Sequence, residues 1–250
     1  MVLFSPLEQF SIFPILSFSV LFIDISITNA SITSFIALSS FFFVYYFLTL
    51  FNLTIVPLRW QLVFENLYET TTNLVCDNVG FQGQKYFPFI FTLFFFILIS
   101  NLSGLAPYSF TTTSHLIQTL FLAYTVFIGV IIICIKIHGF HMLSLFLPGG
   151  TSLFLAFLLV PIEIISYIFK PISLGIRLFA NMMAGHTLLK VIVGFAWAMI
   201  NTGGILLIMH VIPLFVLVIL FGLELAVSLI QAYVFTVLSC IYINDALVLH

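Results

Sequence analysis

Two long apolar runs, residues 151–200 and 205–249, dominate this sequence, and the turn signal Asn201-Thr202-Gly203-Gly204 separates them. Their internal breakers are Pro161 and Pro171 in the first run and Pro213 in the second. A membrane helix accommodates proline as a kink, so each run reads as helix. At ~1.5 Å per residue each arm is about 65–75 Å long, more than twice the ~30 Å hydrocarbon core of a bilayer. Two arrangements satisfy that length: two ordinary spans per arm, or one strongly tilted, kinked helix per arm. No segment of turn residues divides either arm, which favours a tilted two-helix hairpin. Ordinary tilts reach only about 40°, so such a hairpin has to pack on another protein body.

The rest of the chain is also a lipid-soluble sequence. It is 63% hydrophobic and 6% charged, against roughly 25% charged residues in a soluble domain. A net charge of −2 offers no basic face to nucleic acid. Cys76, Cys134 and Cys240 are far apart and fit no metal or redox spacing, so they read as small apolar residues. No cofactor or metal is expected. No Lys or Arg precedes Arg59, so the basic region of a secretory signal and the Arg-rich face of a transit peptide are both missing. A chain this apolar is hard to import, which favours synthesis beside its membrane, in a bacterium or inside an organelle.

The expected class is an all-α integral membrane protein. Residues 1–31, with Pro6, Pro14, Glu8 and Asp24 among aromatics, read as an interfacial lead-in. Residues 32–56 are long enough for one span. Over 59–85 the pattern changes: Trp60, Val63, Phe64, Leu67, Tyr68, Leu74, Val75 and Val79 recur at helical spacing, with Glu65 and Glu69 on other faces. That predicts an amphipathic surface helix and loop. Spans follow over 87–105, opened by Pro88, and over 116–137. His138, Gly139, His141 and residues 148–150 read as a loop, and 151–200 and 204–249 as the two long tilted helices.

Charges inside the arms carry the function. A cation at membrane depth costs about 2.5–3.5 kcal/mol on insertion scales and about 10–17 in simulations of a lone helix, which makes Arg177 a functional residue by default. Glu163, Lys170 and Arg177 are spaced by seven, drift only ~20° per step, and form one stripe that Asn181 extends. Ser173, Ala180 and Ala184 share that face, and small residues let a neighbouring backbone approach closely. An ordinary helix seam with a snorkelling arginine is the competing account. On the second arm Glu224, Ser228 and Gln231 share a face, and Asp245 rejoins it. Folding the arms about Gly203 brings Arg177 level with Gln231, His186 with Glu224, and Glu163 with Asp245. His186 is nine residues from Arg177 and so faces away from its stripe. A water-filled cavity behind the helix, or a bend near Gly185, reconciles the two; a histidine hydrogen-bonded in a helix seam is the alternative. Lys190 is assigned no chemistry.

Titratable groups at two depths with a fixed positive charge between them describe a proton path broken in the middle. Such a path conducts only if something carries the proton across. A partner carboxylate facing Arg177 would be held as the anion there and reprotonated in lipid, where desolvation favours the neutral acid. Arginine stays charged at any accessible pH, which suits it to the task better than lysine. The chain contains no spare central carboxylate, so the carrier is expected on another subunit.

The segments GIRLFANMMAGH (175–186), LELAVSLIQAYVF (223–235) and NLSGLAP (101–107) resemble subunit a of the F-type ATP synthase. The resemblance covers Arg59 to the C-terminus, and SPLEQF (5–10) is similar to the start of mitochondrial members. It implies a stator subunit without a catalytic site, partnered by the c-ring, the peripheral stalk and other membrane-sector subunits, with protons as cargo and lipids around it. It further implies that Arg177 faces the c-ring carboxylate with Gln231 beside it. Glu224 and His186 would form the polar pair of the inlet half-channel, in the mitochondrial order. Glu163 and Asp245 would line the outlet, and Asn181 is a polar position near the arginine. The implied location is the mitochondrial inner membrane, with the bacterial plasma membrane as the alternative. A proton-coupled secondary transporter is the competing function, but internal repeats around a midplane site are its usual mark, and no self-similar halves occur here. A haem- or quinone-binding subunit needs paired histidines at matching depth, which His115, His186 and His210 do not supply.

Overall fold

Helix is where an apolar backbone can satisfy its own polar groups within one segment, and helix accounts for nearly all of this structure. The structure, a computed structural model, describes residues 5, 7–17, 19–20, 23–24, 26–50, 59–106, 109–139, 153–202 and 209–247. Six helices occur among them: α1 (Asn29–Leu50), α2 (Arg59–Val79), α3 (Phe87–Gly104), α4 (Leu116–His138), α5 (Leu153–Thr202) and α6 (Val211–Leu247). Four helices among the described residues are long and apolar enough to cross a membrane, spanning Gly83–Gly104, Leu116–His138, Phe157–Thr202 and Val211–Leu247. The protein is therefore an all-α membrane protein. The expected loop at His141 and 148–150, the end of the first span beyond Leu50, and the turn at 203–204 lie outside the described residues.

Local chemistry explains the helix ends. Pro88 sits in the first turn of α3, where its fixed φ suits the helix. Gly139 follows the last residue of α4 at φ +53°, the left-handed conformation that closes helices and that glycine adopts without a Cβ penalty. Lys136 and His138 occupy the last turn of α4, complementing the negative end of its dipole. His138, expected in a loop, is the final helical residue, and its Nε2 lies 3.2 Å from the Leu247 carbonyl. α5 continues for 50 residues through Pro161 and Pro171. Ahead of α1, the lead-in forms two small antiparallel strand pairs, β1 (Pro14–Leu16) with β4 (Ile27–Thr28) and β2 (Ser19–Val20) with β3 (Ile23–Asp24).

The chain divides into two compact units. One comprises Met1–Val44, Phe96–His115 and Leu178–Ala232; the other comprises Tyr45–Phe95, Leu116–Arg177 and Tyr233–His250. In the second unit α2 turns Thr71, Leu74, Val75 and Val79 inward at helical spacing. Tyr68 of α2 meets Phe87 edge-on, with ring centroids 5.1 Å apart. The core there combines Val75, Val79 and Ile90 with Val130, Cys134, Cys240, Ile243 and Ala246. Cys134 and Cys240 are buried free thiols that fill space as small apolar residues. Gly175 of α5 lies against α4 so closely that an added Cβ would stand 3.1 Å from the Leu120 Cα and from the Thr119 carbonyl oxygen. In the first unit the buried Asn101 amide donates to the Ser228 carbonyl at 3.2 Å, tying α3 to α6 one turn beyond Glu224.

α5 and α6 bury little within the chain. Only 11% of the most apolar window of each is enclosed, against 44% for the span containing α3. Helices apolar on every side with so little covered need lipid or other proteins around them.

Candidate functional site

The first unit contains a polar pair that the sequence places only by level. His186 Nδ1 of α5 and Glu224 Oε1 of α6 approach to 3.4 Å, with side chains 14% and 5% exposed. The contact lacks hydrogen-bond alignment. Among the described residues, both Glu224 carboxylate oxygens and His186 Nε2 are buried without a hydrogen-bond partner. Unpaired buried polar atoms cost about 1–3 kcal/mol each unless solvent meets them, and the surroundings provide room for it. A cleft of about 900 Å³ opens onto both groups, and Gln9, Phe10, Phe110, Lys190 and Phe221 are among its lining. The cleft is roomy enough for water, and His186, Glu224, Gln9 and Lys190 are polar groups in an otherwise largely apolar lining that water can meet.

Glycine makes this geometry possible. A Cβ on Gly185 would lie 2.7 Å from Glu224 Oε1, 2.9 Å from its Cδ and 3.2 Å from its Cγ. The glutamate side chain lies across the bare backbone of α5. α5 is helical throughout this position, and His186 borders the cleft.

Arg177 is exposed, and so are Ser173, Ala180 and Ala184 on its face of α5. It belongs to neither of the two ion pairs among the described residues. Asn181 on α5 and Gln231 on α6 are half-buried. In the second unit Asp245 meets Lys170, with Nζ to Oδ2 at 3.2 Å and both side chains about a third exposed (35% and 36%). Lys170 Nζ also stands 5.4 Å from the Tyr167 ring centre and 5.2 Å from that of Tyr242. Glu163 is half-buried, one turn before Tyr167, and its backbone carbonyl accepts a bond from Ser166 Oγ at 2.9 Å.

Sequence spacing did not reveal Lys170 as the partner of Asp245, Gly185 as the seat of Glu224, or the N-terminal residues of the cleft. Lys190 carried a usable signal, being four residues from His186 and so on its face. Gln9 and Phe10 carried none, since they are far away in sequence. Outside the spans, His115 stacks on Phe110 at 5.0 Å, and burial holds its pKa below the ordinary histidine value.

Comparison with known proteins resolves the family. Residues 30–244 match the family described as ATP synthase A chain. The chain belongs to that family. It is 69% identical over 246 residues to ATP synthase subunit a of Pylaiella littoralis, covering 98% of this chain and 99% of that protein. Identity to ATP synthase subunit a of Chondrus crispus is 51% over 249 residues, covering 100% of this chain and 98% of the relative. The Marchantia polymorpha protein of the same name is 46% identical over 249 residues, with 98% and 99% covered.

Proposed function

We propose that this chain is the proton-conducting stator subunit of an F-type ATP synthase, working in the mitochondrial inner membrane beside a rotating c-ring and the other membrane-sector subunits. The observation that carries the reading is the uncovered face of α5. Arg177 stands exposed among Ser173, Ala180 and Ala184, a charge on a small-residue track along which another helix can pass closely. A carboxylate arriving there would be held as the anion by the guanidinium and would reload its proton on leaving.

The remaining groups divide into two paths on this reading. His186 and Glu224, set on the cleft, form the inlet; among the described residues, His186 Nε2 and both Glu224 carboxylate oxygens are buried without a hydrogen-bond partner. Glu163 and Asp245 form the outlet, with Lys170 holding Asp245 in place. Gln231 and Asn181 are the polar neighbours that keep a carboxylate near Arg177 oriented. With the two paths separated by a fixed cation, protons cross only on the rotor, and rotation follows the gradient. A membrane potential contributes about 2.3 kcal/mol per charge per 100 mV to each transfer.

Proton-driven ATP synthesis by inner-membrane vesicles carrying single substitutions tests this division. Glu224→Gln is expected to slow synthesis about tenfold, below the ~10²–10⁴ contributed by a group that transfers the proton itself, because His186 and water remain. Glu163→Gln is expected to slow it by a smaller factor, and lowering the proton concentration on the outlet side should recover part of that loss. Unchanged flux in both variants would refute the half-channel assignment.

A further inference from the structure

The cleft at His186 and Glu224 has a wall supplied from outside the matched family region. Residues 30–244 match the family, yet Glu8, Gln9, Phe10, Ser11 and Phe13 all line the cleft. Phe10 meets the His186 ring edge-on, with centroids 6.4 Å apart and planes at 65°. The segment is fastened where α1 begins. Asn29 Nδ2 donates to the Ser11 carbonyl at 3.1 Å, Phe13 N–H donates to Asn29 Oδ1 at 3.2 Å, and Asn29 N–H donates to the Phe13 carbonyl at 3.2 Å. Three bonds through one asparagine make this stretch a fixed wall rather than a loose end.

Gln9 is the informative residue in it. Its Nε2 is buried and, among the described residues, has no hydrogen-bond partner, the same condition as His186 Nε2 and both oxygens of Glu224. Four such atoms border one cleft. Buried polar atoms are nearly always satisfied, by protein or by ordered water, and this cleft, though largely apolar, is large enough for water beside these four atoms. Gln9 contributes a pure donor, whereas the Glu224 carboxylate contributes pure acceptors. A water between them would receive a hydrogen bond from the amide and turn its own protons toward the carboxylate.

The geometry points to the segment 8–13 as a functional wall of the inlet, with Gln9 as a positioning residue that orients the water delivering protons to Glu224 and His186. The inference rests on the inlet reading above. Phe10 closes the same side with an apolar ring, directing that water past His186.

Vesicles containing the intact synthase test it, with Glu224→Gln measured in parallel. Gln9→Leu, similar in size and without the amide, is expected to lower ATP synthesis about five- to tenfold, the size of one lost hydrogen bond. The deficit should narrow as the inlet side is acidified, because a higher proton concentration offsets slow delivery. Gln9→Asn, which keeps the amide donor on a stem one methylene shorter, should recover part of the rate. Normal synthesis by Gln9→Leu beside a slow Glu224→Gln overturns the wall and leaves the inlet standing. Normal synthesis by both overturns the two together. A deficit that ignores pH and is as deep in Gln9→Asn marks a packing role and also overturns the inference. Should Gln9→Leu fail to assemble, Gln9→Cys decides: a charged methanethiosulfonate added on the inlet side should stop synthesis in that variant and spare the native protein, whose own exposed thiol is Cys76. Equal response in the two would overturn it.

Discussion

Arg177→Ala should abolish ATP synthesis while leaving the assembled complex intact. The two halves of that expectation have separate physical grounds. Arg177 is exposed and takes part in neither ion pair among the described residues, so its removal breaks no such pair. A surface substitution of this kind changes stability by about 0.5 kcal/mol or less. The functional loss is far larger. A guanidinium about 4 Å from a carboxylate is worth about 4 kcal/mol at an effective dielectric of ~20. At 1.36 kcal/mol per pKa unit, that is roughly a thousandfold in the carboxylate's ionisation. Without it, a rotor carboxylate no longer releases its proton at the crossing point, and the two half-paths are no longer kept apart by charge. Synthesis driven by an imposed gradient, measured beside complex content on native gels, checks both halves. Normal synthesis in the variant would end the proposal.

Gly185→Ala is expected to cut synthesis on the order of 10²-fold, the cost of misplacing a reacting group by about an ångström. The substitution alters no titratable group. Its methyl would occupy the space of Glu224 Oε1, Cδ and Cγ, so the carboxylate has to leave its seat beside His186. Stability should change little, because two effects oppose each other. Alanine gains about 0.8–1 kcal/mol over glycine inside a helix, while overpacking costs about 1–3 kcal/mol. The flexible end of a glutamate gives way more readily than backbone, which keeps that cost at the low end. Adding Glu224→Asp shortens the displaced side chain by one methylene and should restore part of the rate. An active Gly185→Ala variant would show that the seat of Glu224 is irrelevant to conduction.

How far the sequence reaches depends on whether a feature is periodic. The stripe through Glu163, Lys170 and Arg177, the amphipathic face of α2 and the apolar arms all follow from spacing along one helix, and spacing is visible without a structure. The pairing of His186 with Glu224 was legible only as a match of levels about a turn. Its closeness depends on Gly185, whose missing side chain leaves no pattern. Asp245 shows a different limit. Level alone points it at Glu163, but Lys170, on the same stripe, pairs with it because opposite charges attract and the two flanking tyrosine rings favour an ammonium. The wall at Gln9 and Phe10 lay furthest from view, since nothing local records which distant surface a short extended segment will cover.

The unbroken course of α5 has a mechanical meaning. Glu163 and Arg177 are mounted on one helix within the second unit, 14 residues apart, which is about 21 Å of rise. Pro171 lies between them, and the helix continues through it. On the proposed reading, the offset between the crossing point at Arg177 and the outlet at Glu163 is set by this chain as a length. A rotor whose sites are spaced differently would meet the same marks at a different phase of its turn.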